Sequence, residues 1–318
     1  MSPPRNFQGL DQVRPNSTSS ASTKEPTIHN IFEPVTGTWQ YIVADPSAKS
    51  AIIIDPVLNY EPATQAITTT AADELLALVK GKGYQIERIL ETHAHADHLT
   101  ASAYLQHQLN QTQGFKPSIG IGKRIAQVQN LFGLRYHIGK EEYEQVFDHL
   151  FDDDESFTIG GLTATALHLP GHTPDHLGYQ IGGIKHFLRR LPLSHRYRHS
   201  TLRLPRRRRE ESLQLRSQAT RIRRKCQNLA GARLPPPDRD PVAFMSVGEH
   251  KRLNRHIKDS ISKEQFVAMR TERDASLNEP RLLHQSLQVN IRGGRLPAPT
   301  DAGQRFLHLP LKLNGLEW

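Results

Sequence analysis

From Ile31 onward, short apolar runs alternate with amphipathic stretches, and the two periods predict strands with interspersed helices. Trp39–Val43 and Ala51–Ile54 are β-branched or aromatic runs bounded by Asp-Pro turns, which predicts a strand pair. Ala71–Lys80 carries Leu75, Leu76, Leu78 and Val79 and stops near Gly81 and Gly83, which predicts a helix. Ile86–Leu90 predicts a strand that runs directly into Thr92-His93-Ala94-His95-Ala96-Asp97-His98, and Leu99–Leu109 resumes a helical pattern. Further strands are expected at Ser118–Gly122, Leu162–Leu169 and His176–Ile181. Ser262-Lys-Glu-Gln265 has the form of a capping box opening a helix through about Asp274. The sum is a layered α/β sandwich.

Composition narrows the class. A length of 318 residues suits one large domain or two small ones, and 36% apolar residues lies below the roughly 45–50% of ordinary globular chains. No run approaches the roughly 18 apolar residues of a membrane-spanning helix. A single cysteine, Cys226, excludes a disulfide scaffold and any multi-cysteine zinc or iron–sulfur framework. The formal charge of +9 invites a nucleic-acid reading, but it is local. Ile184 to Arg239 holds 17 Lys plus Arg against 3 acidic residues, a net of +14, and the other 262 residues sum to −5. Residues 1–28 are rich in Ser, Thr, Pro and Asn and read as a disordered leader without the apolar core of a secretory signal. Arg5 and Arg14 fit a mitochondrial transit peptide while Asp11 and Glu25 count against one, so the expected location is mitochondrial or cytoplasmic.

The strongest chemical signal is His93-x-His95-x-Asp97-His98. Side chains two apart in an extended loop point the same way, so His93 and His95 can converge on one ion while Asp97 and His98 face a neighbouring position. Neutral imidazoles and a carboxylate suit borderline metals such as zinc and iron(II). With 17 His in the chain an isolated pair would mean little, but four ligand-type residues within six positions after an apolar strand point to a metal. The second signal is Leu169-Pro170-Gly171-His172-Thr173-Pro174, where Gly171 permits a tight turn and His172 projects from the same sheet edge.

Asp55-Pro56 after an apolar strand, Thr92–His98 and Pro170–Thr173 together resemble the metallo-β-lactamase superfamily. Within it, Thr-His-Ala-His-Ala-Asp-His-Leu-Thr-Ala-Ser and Leu-Pro-Gly-His-Thr-Pro-Asp-His resemble the persulfide dioxygenases, as does the stretch Gln285-Ser-Leu-Gln-Val-Asn290-Ile-Arg292-Gly-Gly-Arg295-Leu-Pro. The resemblance implies an αββα sandwich and an iron(II) held by two His and one Asp. It implies oxidation of glutathione persulfide by O2 to sulfite and glutathione. His93 and His172 would then be the imidazole ligands, with His95, Asp97 and His98 at positions that complete the sites of dinuclear zinc relatives and lie nearer the second shell in the dioxygenases. Two His and a carboxylate on one face leave three positions open for O2 and a sulfur, which suits oxygen activation. The partners expected are glutathione persulfide and O2, with no membrane or nucleic-acid partner, and a homodimer is compatible. The alternatives are a zinc-dependent thioester hydrolase of the hydroxyacylglutathione hydrolase type and a non-catalytic product with a basic, nucleic-acid-binding-like insert.

The chain departs from this pattern after Ile181. The family supplies its ligand Asp from a Gly-Asp-Ser strand end and follows with Gly-His-Asp-Tyr, and neither is present. Back-translating Leu188 onward with allowed codons and shifting by one base yields Cys-Gly-Asp-Ser-Leu-Phe-His-Thr-Asp-Ile-Gly. The same shift over Gln227–Pro237 yields Lys-Ile-Trp-x-Gly-His-Asp-Tyr-Pro-Pro. Two motifs in one register and the right order read as a frame-shifted segment between compensating indels, with the ligand Asp straddling the codons of Arg190 and Leu191 and a His straddling those of Ala232 and Arg233. The organisation expected is therefore a leader (1–28), an N-terminal part of the domain (29–187), an Arg-rich frame-shifted segment (188–237) and a C-terminal part (238–318). Arg206–Arg209 and Arg221–Lys225 could otherwise form a basic arm for nucleic acid, but codon accident accounts for them. The segment has too few apolar residues to bury a core, so proteolysis is expected within 189–225.

Overall fold

A computed structural model of the chain describes residues 25–169, 172–182, 185–188, 227–230, 243–246 and 279–311, with single positions at 252, 262, 265, 268 and 313. In the first half, β1 (Thr27–Glu33), β2 (Thr38–Ala44), β3 (Ser50–Ile54), β4 (Val57–Glu61) and β5 (Ala66–Thr68) precede α1 (Thr70–Lys82) and β6 (Gln85–Leu90). There follow β7 (Leu99–Thr100), α2 (Ser102–Gln113), β8 (Ser118–Gly122), α3 (Ile125–Arg135) and β9 (His149–Phe151). The second half has β10 (Glu155–Ile159), β11 (Leu162–His168), β12 (Leu177–Ile181), β13 (Lys185–Leu188), β14 (Gln227–Ala230), β15 (Phe244–Ser246) and the helix Leu283–Asn290.

Two six-stranded sheets result, in the orders β1-β2-β3-β6-β8-β9 and β10-β11-β12-β13-β14-β15, beside a small sheet β5-β4-β7. Alternation along β2 and β3 divides the core. Tyr41, Val43, Ile52 and Ile54 face Phe157, Ile159, Leu162, Ala164, Tyr179 and Ile181 of the second sheet. Ile42, Ala44, Ala51 and Ile53 instead join the residues of α1, α2, α3 and Leu283–Asn290 that cover the first sheet. Strands buried on both faces read as near-continuous apolar runs, which is why β2 and β3 were so legible. The chain thus has the sandwich of sheets and helices expected of a metallo-β-lactamase fold.

Local chemistry sets the element ends. Gly83, at φ 66°, caps α1 as its N–H reaches Lys80 O and the Tyr84 N–H reaches Val79 O, so the helix runs past Gly81 and stops at Gly83. The helical pattern expected from Leu99 begins only at Ser102, because Leu99 and Thr100 pair with Leu58 and Val57 of β4. The Ser262–Gln265 capping box is formed reciprocally, with the Ser262 N–H on Gln265 Oε1 at 2.9 Å and the Gln265 N–H on Ser262 Oγ at 3.2 Å. Most of the helix expected beyond it lies outside the described residues. Within the segment expected to lack structure, residues 227–230 form β14, parallel to β13, while 189–226 and 231–237 lie outside the described residues.

The helix Leu283–Asn290 is buried at every position except the half-buried His284, and Leu287 at its centre has no exposed surface. Replacing Leu287 with Ala should lower unfolding stability by about 2–5 kcal/mol through lost transfer energy and a residual cavity. A denaturant titration checks this, and a loss well under about 1 kcal/mol would show that the helix contributes little to the core.

Candidate metal centre

The ends of β3, β6 and β11 bring their following loops to one edge of the sandwich. Asp55 follows β3 with φ 51°, a left-handed conformation that Asp tolerates better than most side chains. Its carboxylate accepts the Thr92 N–H at 2.8 Å, the Thr92 hydroxyl at 2.9 Å and the His95 Nε2–H at 2.8 Å. The loop after β6 is thereby folded around the Asp55 side chain. Thr92 Oγ1 in turn accepts from His93 Nδ1 at 3.0 Å, which puts the proton of His93 on Nδ1 and the lone pair on Nε2. The contact of His95 Nε2 with Asp55 likewise assigns its proton to Nε2 and leaves Nδ1 as the lone-pair nitrogen. Such carboxylate-backed imidazoles are the usual support of metal-bound histidines.

Five imidazoles line up at this edge. The ring centroids of His93 lie 4.3 Å from His95, 4.8 Å from His172 and 5.1 Å from His176, and His95 lies 4.2 Å from His98. His93, His95 and His98 are buried and His172 is half-buried. The donor atoms of His95, Asp97 and His98 lie within 4.8 Å of one another, as do those of Asp55, Glu91 and His95. The rings of His93 and His95 are thus neighbours, whereas the donor atoms group His95 with Asp97 and His98. Among the described residues no three-donor group joins a carboxylate to His93 and His172. Pro170, Gly171 and the codons proposed to hide the ligand Asp lie outside the described residues.

His98 tests whether the donors suit a cation. Its Nδ1 meets Thr38 Oγ1 at 3.3 Å, and its Nε2 is buried without a hydrogen-bond partner among the described residues. A buried imidazole nitrogen left without a protein partner, beside Asp97 and His95, is the arrangement a borderline metal ion would complete. Burial alone would lower the His98 value, but the Asp97 hydrogen bond and the charges of Asp97, Glu91 and Asp55 outweigh it and hold it above the ordinary range. The negative field that raises it favours a bound cation equally.

The family profile for the metallo-β-lactamase superfamily matches residues 34–181. A probable metallo-hydrolase of Burkholderia pseudomallei is 33% identical over 299 residues, covering 90% of this chain and 99% of that protein. The chain belongs to the metallo-β-lactamase superfamily. Another member of similar reach is glyoxylase B2 of Dictyostelium discoideum, 35% identical over 276 residues and covering 86% of this chain and 93% of that protein. The human mitochondrial persulfide dioxygenase ETHE1 is 26% identical over 147 residues, 46% of this chain and 44% of that protein. Among solved structures, ETHE1 from Myxococcus xanthus superposes with a TM-score of 0.63 at 19% identity, over 85% of this chain and all of that one. The superfamily is one of metal-binding enzymes, and the His/Asp cluster at the sheet edge is a group of residues that could hold a metal ion here. No helix among the described residues is long and apolar enough to cross a membrane.

Several residues of the site escaped the motif reading. Glu91 stands just before the first motif, and Asp175 and His176 close the Leu-Pro-Gly-His-Thr-Pro-Asp-His word, but neither spacing nor type gave them a role. Asp175 Oδ2 accepts the Ala94 N–H at 2.7 Å, tying the second histidine loop to the first, and burial raises its carboxyl to about 6. Glu91 contacts His95 at 3.1 Å and accepts the Thr100 and Ser102 hydroxyls. Burial first, then the Asp55 charge, pushes the Glu91 carboxyl up to about 8. A folded value above the unfolded 4.5 means that the folded chain holds a proton the unfolded chain releases, so the metal-free fold loses stability as pH rises from about 4.5 to 8. Glu91→Gln cannot ionise and should flatten that fall, as denaturant midpoints of the metal-free protein across the range will show. An unchanged slope would place the titrating group elsewhere.

Proposed function

We propose that the intact gene encodes an iron(II)-dependent persulfide dioxygenase, converting glutathione persulfide, O2 and water to glutathione and sulfite, with His93 and His172 as the imidazole ligands. The observation that carries this reading is the approach of the His93 and His172 rings to a centroid distance of 4.8 Å, which brings the imidazoles of the two histidine loops together at one edge. The motif likeness around Thr92–Ser102 and Leu169–His176 supports the same reading. Bound iron(II) would supply O2 activation and a site for the persulfide sulfur. The protein's own part is to fix the imidazole tautomers through Thr92 and Asp55 and to hold the two loops together through Asp175.

A second reading is favoured by His98, whose unpartnered Nε2 beside Asp97 and His95 suits a second ion, and by the likeness to glyoxylase B2. That reading is a dinuclear zinc thioester hydrolase. Metal content after anaerobic purification separates the two: one iron per chain supports the dioxygenase and two zincs support the hydrolase. We further propose that residues 188–237 are translated out of frame, so that the third protein ligand of the iron is absent from this chain. On that reading the protein as given is a damaged member of an active lineage.

A further inference from the structure

The backbone of the first histidine loop has almost no secondary structure of its own, so its polar groups must be satisfied from elsewhere. Asp55 takes the Thr92 N–H, Asp175 takes the Ala94 N–H, and the Leu177 N–H reaches Thr92 O at 2.7 Å. The turn 95–98, which leads into the β7 pairing with β4, is bound by one side chain from the far end of the sequence. Asn290, the last residue of the helix Leu283–Asn290, donates through Nδ2 to His95 O and to His98 O, both at 2.8 Å. Its Oδ1 accepts the Thr100 N–H at 2.8 Å. The carboxamide thus uses both donors and its acceptor on the loop that carries His95, Asp97 and His98. It is almost completely buried.

We infer that Asn290 is a positioning residue of the metal centre, and that the segment after the matched family region is needed to shape the first histidine loop. The match to the family profile ends at residue 181, yet three bonds from Asn290 close the turn between His95 and Thr100. No smaller or differently charged side chain can do this. An Asp at 290 would replace both donors with acceptors and set a carboxylate against two carbonyl oxygens. The helix itself is fixed independently by Leu283, Leu287 and Val289 in the core, so the carboxamide sits on a rigid support. The inference rests on the reading of the histidine loop as a metal site, and the experiment below separates the two.

The full chain, stripped of metal, is titrated with Co(II) and followed by its d–d absorption, and the same metal-free protein is measured by hydrogen exchange. Asn290→Asp should weaken Co(II) binding by about 10- to 100-fold relative to wild type, the usual cost of losing an outer-shell partner. Val79→Ala, a core change in α1 that lowers thermal stability without touching the loop, should bind Co(II) as wild type does. Peptides spanning 92–100 should lose exchange protection in Asn290→Asp while those of β2 and β3 keep it. Wild-type affinity in Asn290→Asp, or an equal loss in Val79→Ala, overturns the inference. A wild-type chain that takes up no Co(II) fits the proposed loss of the third ligand instead, and the exchange data then decide the clamp alone: protection of 92–100 that is lost in Asn290→Asp upholds it, and equal exchange in the two chains overturns it. If Asn290→Asp does not fold, Asn290→Ser is measured with the same expectation. If neither folds, fast exchange of 92–100 in the wild type refutes the clamp and slow exchange upholds it.

Discussion

Replacing His93 or His172 with Ala, in a chain whose 188–237 segment is restored to the proposed frame, should abolish stoichiometric iron binding. On the proposed assignment each imidazole would supply one of three protein ligands on one face of the ion, and two ligands hold iron(II) too weakly against buffer and oxidation. The rest of the site survives either change, because Asp55 still organises Thr92 and His95, and Asp175 still ties the loops together. Iron per chain should fall from about one to background while thermal unfolding shifts little. Stoichiometric iron in either variant would overturn the assignment. His95→Ala adds a sharper distinction: the mononuclear reading expects iron to be retained at reduced affinity, whereas the dinuclear hydrolase reading expects metal content to drop by half or more.

The histidine loops were legible because their signal is chemical and local: ligand-type residues at short spacing directly after an apolar strand. The strand at 51–54 was legible because both faces are buried and its apolar run is unbroken, while 39–43, 86–90 and 118–122 were marked by Tyr41–Val43, Ile86, Ile89, Leu90, Ile119 and Ile121. β10 was not, since in Glu155–Ile159 only Phe157 and Ile159 face the core and their neighbours are polar. α3 was missed because Gln129 and Gly133 interrupt its buried stripe of Ile125, Val128 and Phe132, yet Gln129 is buried and donates to Tyr143 O and Ile291 O. The supporting shell was legible only in part. Asp55 belonged to a recognisable Asp-Pro word, but Glu91 and Asn290 act through the burial and reach that only the fold supplies. Asn290 lies 190 or more residues from each of its partners, and nothing local in a sequence marks such a contact.

The chain as written should be catalytically dead while its repaired counterpart is active, and this is the largest effect expected of all. Among the described residues, no carboxylate shares a three-donor group with His93 and His172. Iron(II) on two imidazoles lacks the anionic ligand that anchors it against hydrolysis and oxidation. Asp97 does not substitute, because its donor atoms group with His95 and His98. The stretch from Ile184 to Arg239, which should supply the missing Asp, carries a net charge of +14 and repels a cation if any of it approaches the site. Shifting the frame between codons 188 and 237 restores Gly-Asp-Ser and Gly-His-Asp-Tyr and removes most of that charge. Resequencing the gene across codons 185–240 tests the premise, and O2 uptake with glutathione persulfide tests the consequence. The repaired chain should consume O2 and the original should not. If the gene shows no compensating single-base indels and the original chain turns over, both the frame-shift and the ligand assignment built on it are wrong.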